Sequence, residues 1–397
     1  MTDLVFRSSS AFELIVFDRL PPRERNLLCE LERNADLFGV LRPRTPTGTL
    51  KAVSRDTALL LFTLQQEGPL PAFASTDAGS ECLPHIGELV VDGVLEVRQG
   101  SEYVSGPRAL PLLGLPRGGG PSDNTSADGL LAQLSRAALQ YGERLDLGDP
   151  LRLSARLYFY NRLPLSPRWQ RLYRDVRAVR EALGIAAGQP LSRRLARDYR
   201  SQAGQAENGW LTWHRRGAEA APWSDHVTFK LYVSPQPEAL APTFEAVCDL
   251  RPDHFKVGAD AAGLLRPDKL VMYFGDFESL THTARRLAEL LNGVPAHGVP
   301  FTAPASKNGL LSWGVDPPPS EQLLSWRQRE SWRLWLTNRL AAALISSCAQ
   351  APSELPPWRF ALERLRCQGV DTERWVPDAR LWPESSCMEA PWTSNLA

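Results

Sequence analysis

The chain predicts an α+β protein built from more than one unit, on three observations. Near the N-terminus, two helix signals run into an alternating ribbon. A Gly- and Ser-rich stretch then interrupts the chain. Beyond it, short alternating strands that carry charges are interleaved with helical segments. With 397 residues, 43% of them hydrophobic and 23% charged, the chain is long enough for two or three domains with real cores.

The first unit is expected over residues 1–114. SRDTALLLFTLQQ opens with Ser54 as an N-cap and carries an apolar run, predicting a helix that ends near Gly68-Pro69. A second helix is expected from Leu83 to Val91. GVLEVRQGSEYVSG then alternates around Gln99-Gly100, a hairpin signal. Helix, helix and two-stranded ribbon make a winged-helix-like module. Winged helices commonly bind DNA, but here Lys51, Arg55 and Arg98 are outweighed by Asp56, Glu67, Asp77, Glu81, Glu88, Asp92, Glu96 and Glu102. Such a surface repels phosphate, which leaves packing, dimerisation or capture of a peptide strand at the ribbon edge. Residues 115–129, LPRGGGPSDNTSADG, have the composition of a flexible linker.

The second unit is expected over residues 130–318. LLAQLSRAALQYG predicts a helix. LRLSARLYFYNRLP alternates at Leu151, Leu153, Ala155, Leu157 and Phe159, which predicts a strand. Trp169 to Leu183 is helical in pattern and basic. Residues 319–397 form a helical extension, with a long helix over Ser320 to Gln350 whose Trp326, Trp332 and Trp335 are expected to pack in the core.

Composition narrows the function classes. The formal net charge is zero, which argues against wholesale binding of nucleic acid or anionic membrane. Six cysteines without a CxxC pair and six histidines without HxxxH or HxH predict no metal site and no disulfide framework. No run of 18 apolar residues occurs, and the start MTDLVFRSSSAFELIVFDRL lacks a signal-peptide pattern, so a cytoplasmic protein is expected. GxGxxG, GxxxxGK and GxSxG are all absent, and no cofactor is expected.

The chemistry concentrates in three charged strands. In TFKLYVSP, alternation sets Phe229, Leu231 and Val233 on one face and Lys230, Tyr232 and Ser234 on the other. In HFKVG, Phe255 and Val257 face the core while His254 and Lys256 point away. In RPDKLVMYF, Lys269, Val271 and Tyr273 share a face, with Leu270, Met272 and Phe274 opposite. If these strands are neighbours, lysines, a tyrosine and Arg266 converge over one sheet face, where like charges repel unless an anion sits among them. The alternative is that each lysine snorkels at a sheet edge, with Asp268 in a surface pair with Arg266 or Lys269.

The pieces TWHRR (Thr212 to Arg216), FKLYVSP, HFKVG, RPDKLVMYF, GVPFTA (Gly298 to Ala303) and LLSWG (Leu310 to Gly314) follow one another in this order. Their order and spacing resemble the HopA-type effector family. That family is related in fold to the phosphothreonine lyases of bacterial effectors and to the lyase domains of lanthipeptide synthetases. Similar proteins occur in gene clusters for ribosomally made, modified peptides of the lanthipeptide, thioamitide and crocagin types. The resemblance spans Leu151 to Pro318. It implies a phospholyase-like α+β domain in which Lys256 matches the lysine that abstracts the α-proton of a phosphorylated Ser or Thr. Lys230 matches the first member of a Lys-x-His pair, and Arg266 an arginine on the phosphate. Two positions depart from the family pattern: Tyr232 stands at the histidine, and Ser312 where a late arginine is expected. A tyrosine is a poorer proton shuttle than histidine at neutral pH, and a lost arginine removes a bidentate phosphate grip.

The expected function is therefore binding of a precursor peptide on a phospholyase-like scaffold, in partnership with other modifying enzymes of a peptide pathway. The alternative is an active phospho-Ser/Thr lyase, a carbon–oxygen lyase forming dehydroamino acids, with Lys256, Lys230 and Tyr232 as its catalytic set. A third reading is an effector acting on a host protein. The expected binding set is Lys230, Lys256, Arg266, Lys269, Tyr273, His214, Ser312 and Trp313, with Arg266 and Lys269 at the mouth of a cleft.

Overall fold

The computed structural model describes residues 4–29, 31–44, 50–75, 82–113, 129–201, 209–218, 228–317, 330–348 and 355–378. Most of the expected linker and Trp326 lie outside these residues.

In the N-terminal part the elements are β1 (Phe6–Ser8), β2 (Phe12–Val16), α1 (Pro22–Leu27), β3 (Leu37–Pro43), β4 (Lys51–Ser54), α2 (Arg55–Thr63), α3 (Ala72–Ser75), α4 (Cys82–Val91), β5 (Leu95–Gln99) and β6 (Glu102–Val104). Ser54 caps α2 by accepting from the Thr57 N–H, as expected. The helix is shorter than its apolar run suggested and stops at Thr63. The hairpin at Gly100 forms, and β1 joins it to make a three-stranded sheet in the order β1-β5-β6. Strands β2, β3 and β4 make a second antiparallel sheet.

A helical layer follows, with α5 (Leu130–Arg144), α6 (Pro150–Tyr158), α7 (Pro167–Leu172), α8 (Val176–Ala182) and α9 (Pro190–Asp198). The expected strand at Leu151 to Phe159 is helix α6. Asp149 accepts from the Leu151 and Arg152 N–H groups and Pro150 occupies the first turn, a start signal that overrides the alternation. Leu153 and Leu157, four apart, are buried, while Leu151 is 74% exposed. The expected helix from Trp169 to Leu183 is two helices, because Asp175 caps a new one at the Ala178 N–H.

The centre is a seven-stranded antiparallel sheet. Its strands are β7 (Tyr199–Ser201), β8 (Trp210–Arg215), β9 (Phe229–Val233), β10 (His254–Gly258), β11 (Leu270–Phe274), β12 (Ala303–Pro304) and β13 (Leu311–Val315), in the order β12-β13-β9-β11-β10-β8-β7. Helices α10 (Leu240–Asp249), α11 (Ala261–Leu264) and α12 (Phe277–Leu290) connect them. Leu231, Val233, Phe255, Val257, Leu270 and Met272 form one apolar face, in a core with Phe244 of α10 and Leu280, Ala284 and Leu287 of α12. Gly258 and Gly263 touch through their backbones, since a Cβ on Gly258 would lie 2.5 Å from the Gly263 carbonyl carbon.

The last elements are α13 (Trp332–Cys348), α14 (Pro357–Cys367), β14 (Val370–Asp371) and β15 (Val376–Pro377). Trp332 and Trp335 are wholly buried and stack at 5.7 Å, in the packing role expected of them. Helix α14 reaches the N-terminal part: Arg364 grips Asp92 with Nε at 2.6 Å and Nη2 at 2.8 Å, and also reaches Glu88 at 2.7 Å. Lys51 completes the cluster at 2.5 Å from Asp92. Burial pushes the Asp92 carboxyl up, but Arg364 and Lys51 outweigh it and hold the group at about 2. Asp92 and Glu88 are thus neutralised by internal cations, and the acidic surface foreseen from the sequence is smaller by those two charges. Among the described residues, no helix is long and apolar enough to cross a membrane.

Candidate functional site

The face of the sheet opposite the apolar core carries the charges, and pairing register places them in rows. One row runs Gly314, Lys230, Tyr273, His254, His214 across β13, β9, β11, β10 and β8. The next runs Ser312, Tyr232, Val271, Lys256, Thr212. The Lys230 and Lys256 ammonium groups each lie 5.5 Å from the Tyr273 ring. Lys256 Nζ is also 4.3 Å from the Trp210 ring, over which the Arg266 guanidinium sits at 5.1 Å. Lys230, Lys256, Arg266 and Tyr273 are therefore brought together around two aromatic rings.

Their partners differ. Lys230 Nζ is 2.5 Å from Asp316 Oδ2, while Asp316 Oδ1 accepts from the Trp332 N–H at the start of α13. Among the described residues, Lys256 has no carboxylate within salt-bridge distance. Burial first, and the Lys230 ammonium second, draw its pKa down to about 8. Burial lifts the Tyr232 and Tyr273 phenols well above the ordinary tyrosine range, so both are neutral. His214, His254 and Tyr273 form a stacked strip, with ring centroids 4.1 and 4.4 Å apart. Burial, then His214 and the two lysines, bring His254 down to about 3, and it too is neutral.

Several expectations are corrected by burial. Arg266 is not a free anion ligand at a cleft mouth. It grips Asp268 with Nε at 2.9 Å and Nη2 at 2.8 Å, and Nη2 also donates to the Tyr158 hydroxyl at 3.2 Å. Nor is Asp268 part of a surface pair: it is 4% exposed, and Arg333 of α13, itself 0% exposed, brings Nη1 to 2.9 Å from Oδ2, the oxygen that Arg266 Nη2 also contacts. Arg333 also donates to the Tyr158 carbonyl at 2.7 Å and the Pro300 carbonyl at 3.2 Å. These two cations outweigh the cost of burying Asp268 and hold its carboxyl far below the usual carboxylate range.

Lys269, also expected at the mouth, is wholly enclosed. It donates to the Pro235 carbonyl at 2.8 Å and meets His297 Nδ1 at 2.6 Å. His297 Nε2 is 2.6 Å from the Asn161 carbonyl, which can only accept, so Nε2 carries the proton and Nδ1 accepts from the lysine. Burial draws Lys269 to about 7 and, with Lys269 alongside, His297 to about 4. This lysine ties β11 to the loops around it. Trp313 lies on the opposite, apolar face, 4.7 Å from Phe277. Ser312 is on the polar face, fully buried beside Tyr232.

Sequence reasoning missed Trp210, Tyr158, Asp316 and Arg333. Trp210 carried a signal, since alternation from Thr212 and His214 puts it on their face. Tyr158 was hidden by the reading of α6 as a strand, and Arg333 comes from a helix more than sixty residues downstream of Asp268.

No family model matches the chain, and no curated protein matches it. Among solved structures, the effector protein from Pseudomonas syringae pv. tomato strain DC3000 aligns with a TM-score of 0.39 at 13% identity, covering 62% of this chain and 97% of that one. The effector protein from Pseudomonas syringae pv. syringae strain 61 aligns with a TM-score of 0.38 at 14% identity, covering 62% and 98%.

Proposed function

We propose that the protein binds a precursor peptide of a ribosomally made natural product on the polar sheet face, and presents it to a modifying enzyme without eliminating phosphate. The observation that carries this reading is Asp268. Its carboxylate already occupies the fork of Arg266 and lies 2.9 Å from Arg333 Nη1, so the arginine matched to the phosphate is committed to an internal anion. What remains for a ligand is Lys256 between Trp210 and Tyr273, a cation with aromatic walls suited to a carboxylate side chain in a peptide. The choice of a precursor peptide follows the motif resemblance. The winged-helix-like unit at the N-terminus supplies a second contact in this reading, through β6 at the outer edge of its ribbon.

Fluorescent peptides carrying Glu, Thr or phosphothreonine at one position test the proposal. The Glu peptide is expected to bind, and Lys256→Ala to weaken it about tenfold, the equivalent of ~1.4 kcal/mol. The phosphothreonine peptide should keep its mass on incubation. One observation favours the lyase alternative: Lys256 at about 8 is within reach of the neutral form a base requires. Loss of about 98 Da from the phosphopeptide, abolished by Lys256→Ala, would establish elimination and overturn the binding-only reading.

A further inference from the structure

The chain contains 45 lysines and arginines, and only five are lysine: Lys51, Lys230, Lys256, Lys269 and Lys307. A protein that uses arginine wherever a fixed charge suffices has kept two of its five lysines, Lys230 and Lys256, on the same sheet face, in the strands that flank β11. Arginine is the stronger anion ligand and never loses its proton. Lysine differs by having a compact head and by yielding a neutral, nucleophilic amine. The compact head suits three of the five, and a fourth is simply exposed. Lys51 reaches into the Asp92 cluster, Lys230 meets Asp316, Lys269 fits between a carbonyl and a histidine nitrogen, and Lys307 lies at the surface.

Lys256 is left. Among the described residues it has neither a carboxylate nor a hydrogen-bond acceptor for its ammonium, and it is only partly enclosed, so a ligand can reach it. Trp210 and Tyr273 wall it, and Lys230 stands across the Tyr273 ring. An amine desolvated against aromatic rings beside a second ammonium is the environment in which lysine acts as a nucleophile toward carbonyl compounds.

We propose that Lys256 captures an aldehyde or ketone group as an imine. The amine lone pair attacks the carbonyl carbon to give a carbinolamine. The carbonyl oxygen then leaves as water with both protons of the amine nitrogen, and no oxidant or reductant is needed. The proposal does not depend on the peptide-binding reading, because it concerns the intrinsic reactivity of this side chain toward carbonyls of any origin.

The test is a competition within the wild-type protein. The protein is incubated at pH 7.5 with propanal, or with a short peptide aldehyde, and the imine is reduced by cyanoborohydride. Modified lysines are then mapped by mass spectrometry. With its pKa at about 8, Lys256 holds roughly a hundredfold more neutral amine at that pH than an ordinary lysine with pKa ~10.4. Lys256 should therefore be labelled at least tenfold faster than exposed Lys307. Faster trapping of the peptide aldehyde would assign the carbonyl to a polypeptide ligand, and equal trapping of propanal to a free small molecule. Labelling of Lys307 ahead of Lys256 by both probes would overturn the proposal, whatever the outcome of the peptide-binding titrations.

Discussion

Replacing Asp268 by asparagine removes the carboxylate that, among the described residues, faces two guanidinium groups. Arg266 is partly exposed and can turn toward water, but Arg333 is 0% exposed and cannot. Its Nε and Nη2 remain bonded to the Pro300 and Tyr158 carbonyls, and the charge stays buried without a counter-ion. Leaving one charge of a buried pair uncompensated costs about 3–5 kcal/mol. The expected loss for Asp268→Asn lies in that range, most of it from Arg333. Arg333→Met removes the trapped charge while keeping a long side chain, so adding Asp268→Asn in that background should cost far less. The pair should show a coupling of about 2–3 kcal/mol in a double-mutant cycle. Chemical denaturation followed by tryptophan emission reads these values, because Trp332 and Trp335 of the same helix become exposed as it unfolds. A single-mutant cost below about 1 kcal/mol, or additive effects, would show that the cluster is not the clamp described here and remove the main ground for the binding-only function.

Acid should act on the Asp92 cluster. Its folded pKa of about 2 lies below the ordinary 3.8, so its contribution is complete above the unfolded value and is lost as pH falls through the folded one. That contribution is about 2 kcal/mol, lost between pH ~4 and ~2, and Asp92→Asn should abolish this part of the stability–pH slope. Gly314→Ala should cost about 1–3 kcal/mol in thermal unfolding, because the new Cβ would lie 2.5 Å from Trp332 Cδ1. An unchanged melting temperature would mean that Trp332 does not press on β13. Binding of the Glu peptide should weaken about tenfold between pH 7 and pH 9, as Lys256 loses its proton near pH 8. A flat profile would exclude the Lys256 ammonium as the contact.

Alternation along single strands was enough to sort Lys230, Tyr232, Lys256 and Tyr273 onto one face, because the strand period of two holds wherever a strand forms. The same rule misplaced Leu151 to Phe159. Residues at every second position over nine residues also include an i, i+4 pair, and Leu153 and Leu157 met the helical pattern as well. The Asp149-Pro150 start signal decided between them. Trp313 shows a different failure, since its motif match suggested a site residue while its own strand parity already put it with Leu311 and Val315 on the apolar face.

Local rules therefore specified caps, turns and side-chain faces, which depend on neighbours a few residues away. They could not specify which charges neutralise each other. Asp268 is two residues from Arg266, but Arg333 on a distant helix also pairs with it, and together they turn a surface pair into a buried clamp. Likewise Arg364 finds Asp92 across more than 270 positions. Whether a lysine is a snorkelling surface charge, a buried tie or an uncommitted amine depends on the water and counter-ions around it, and those are set by segments that meet only when the chain folds.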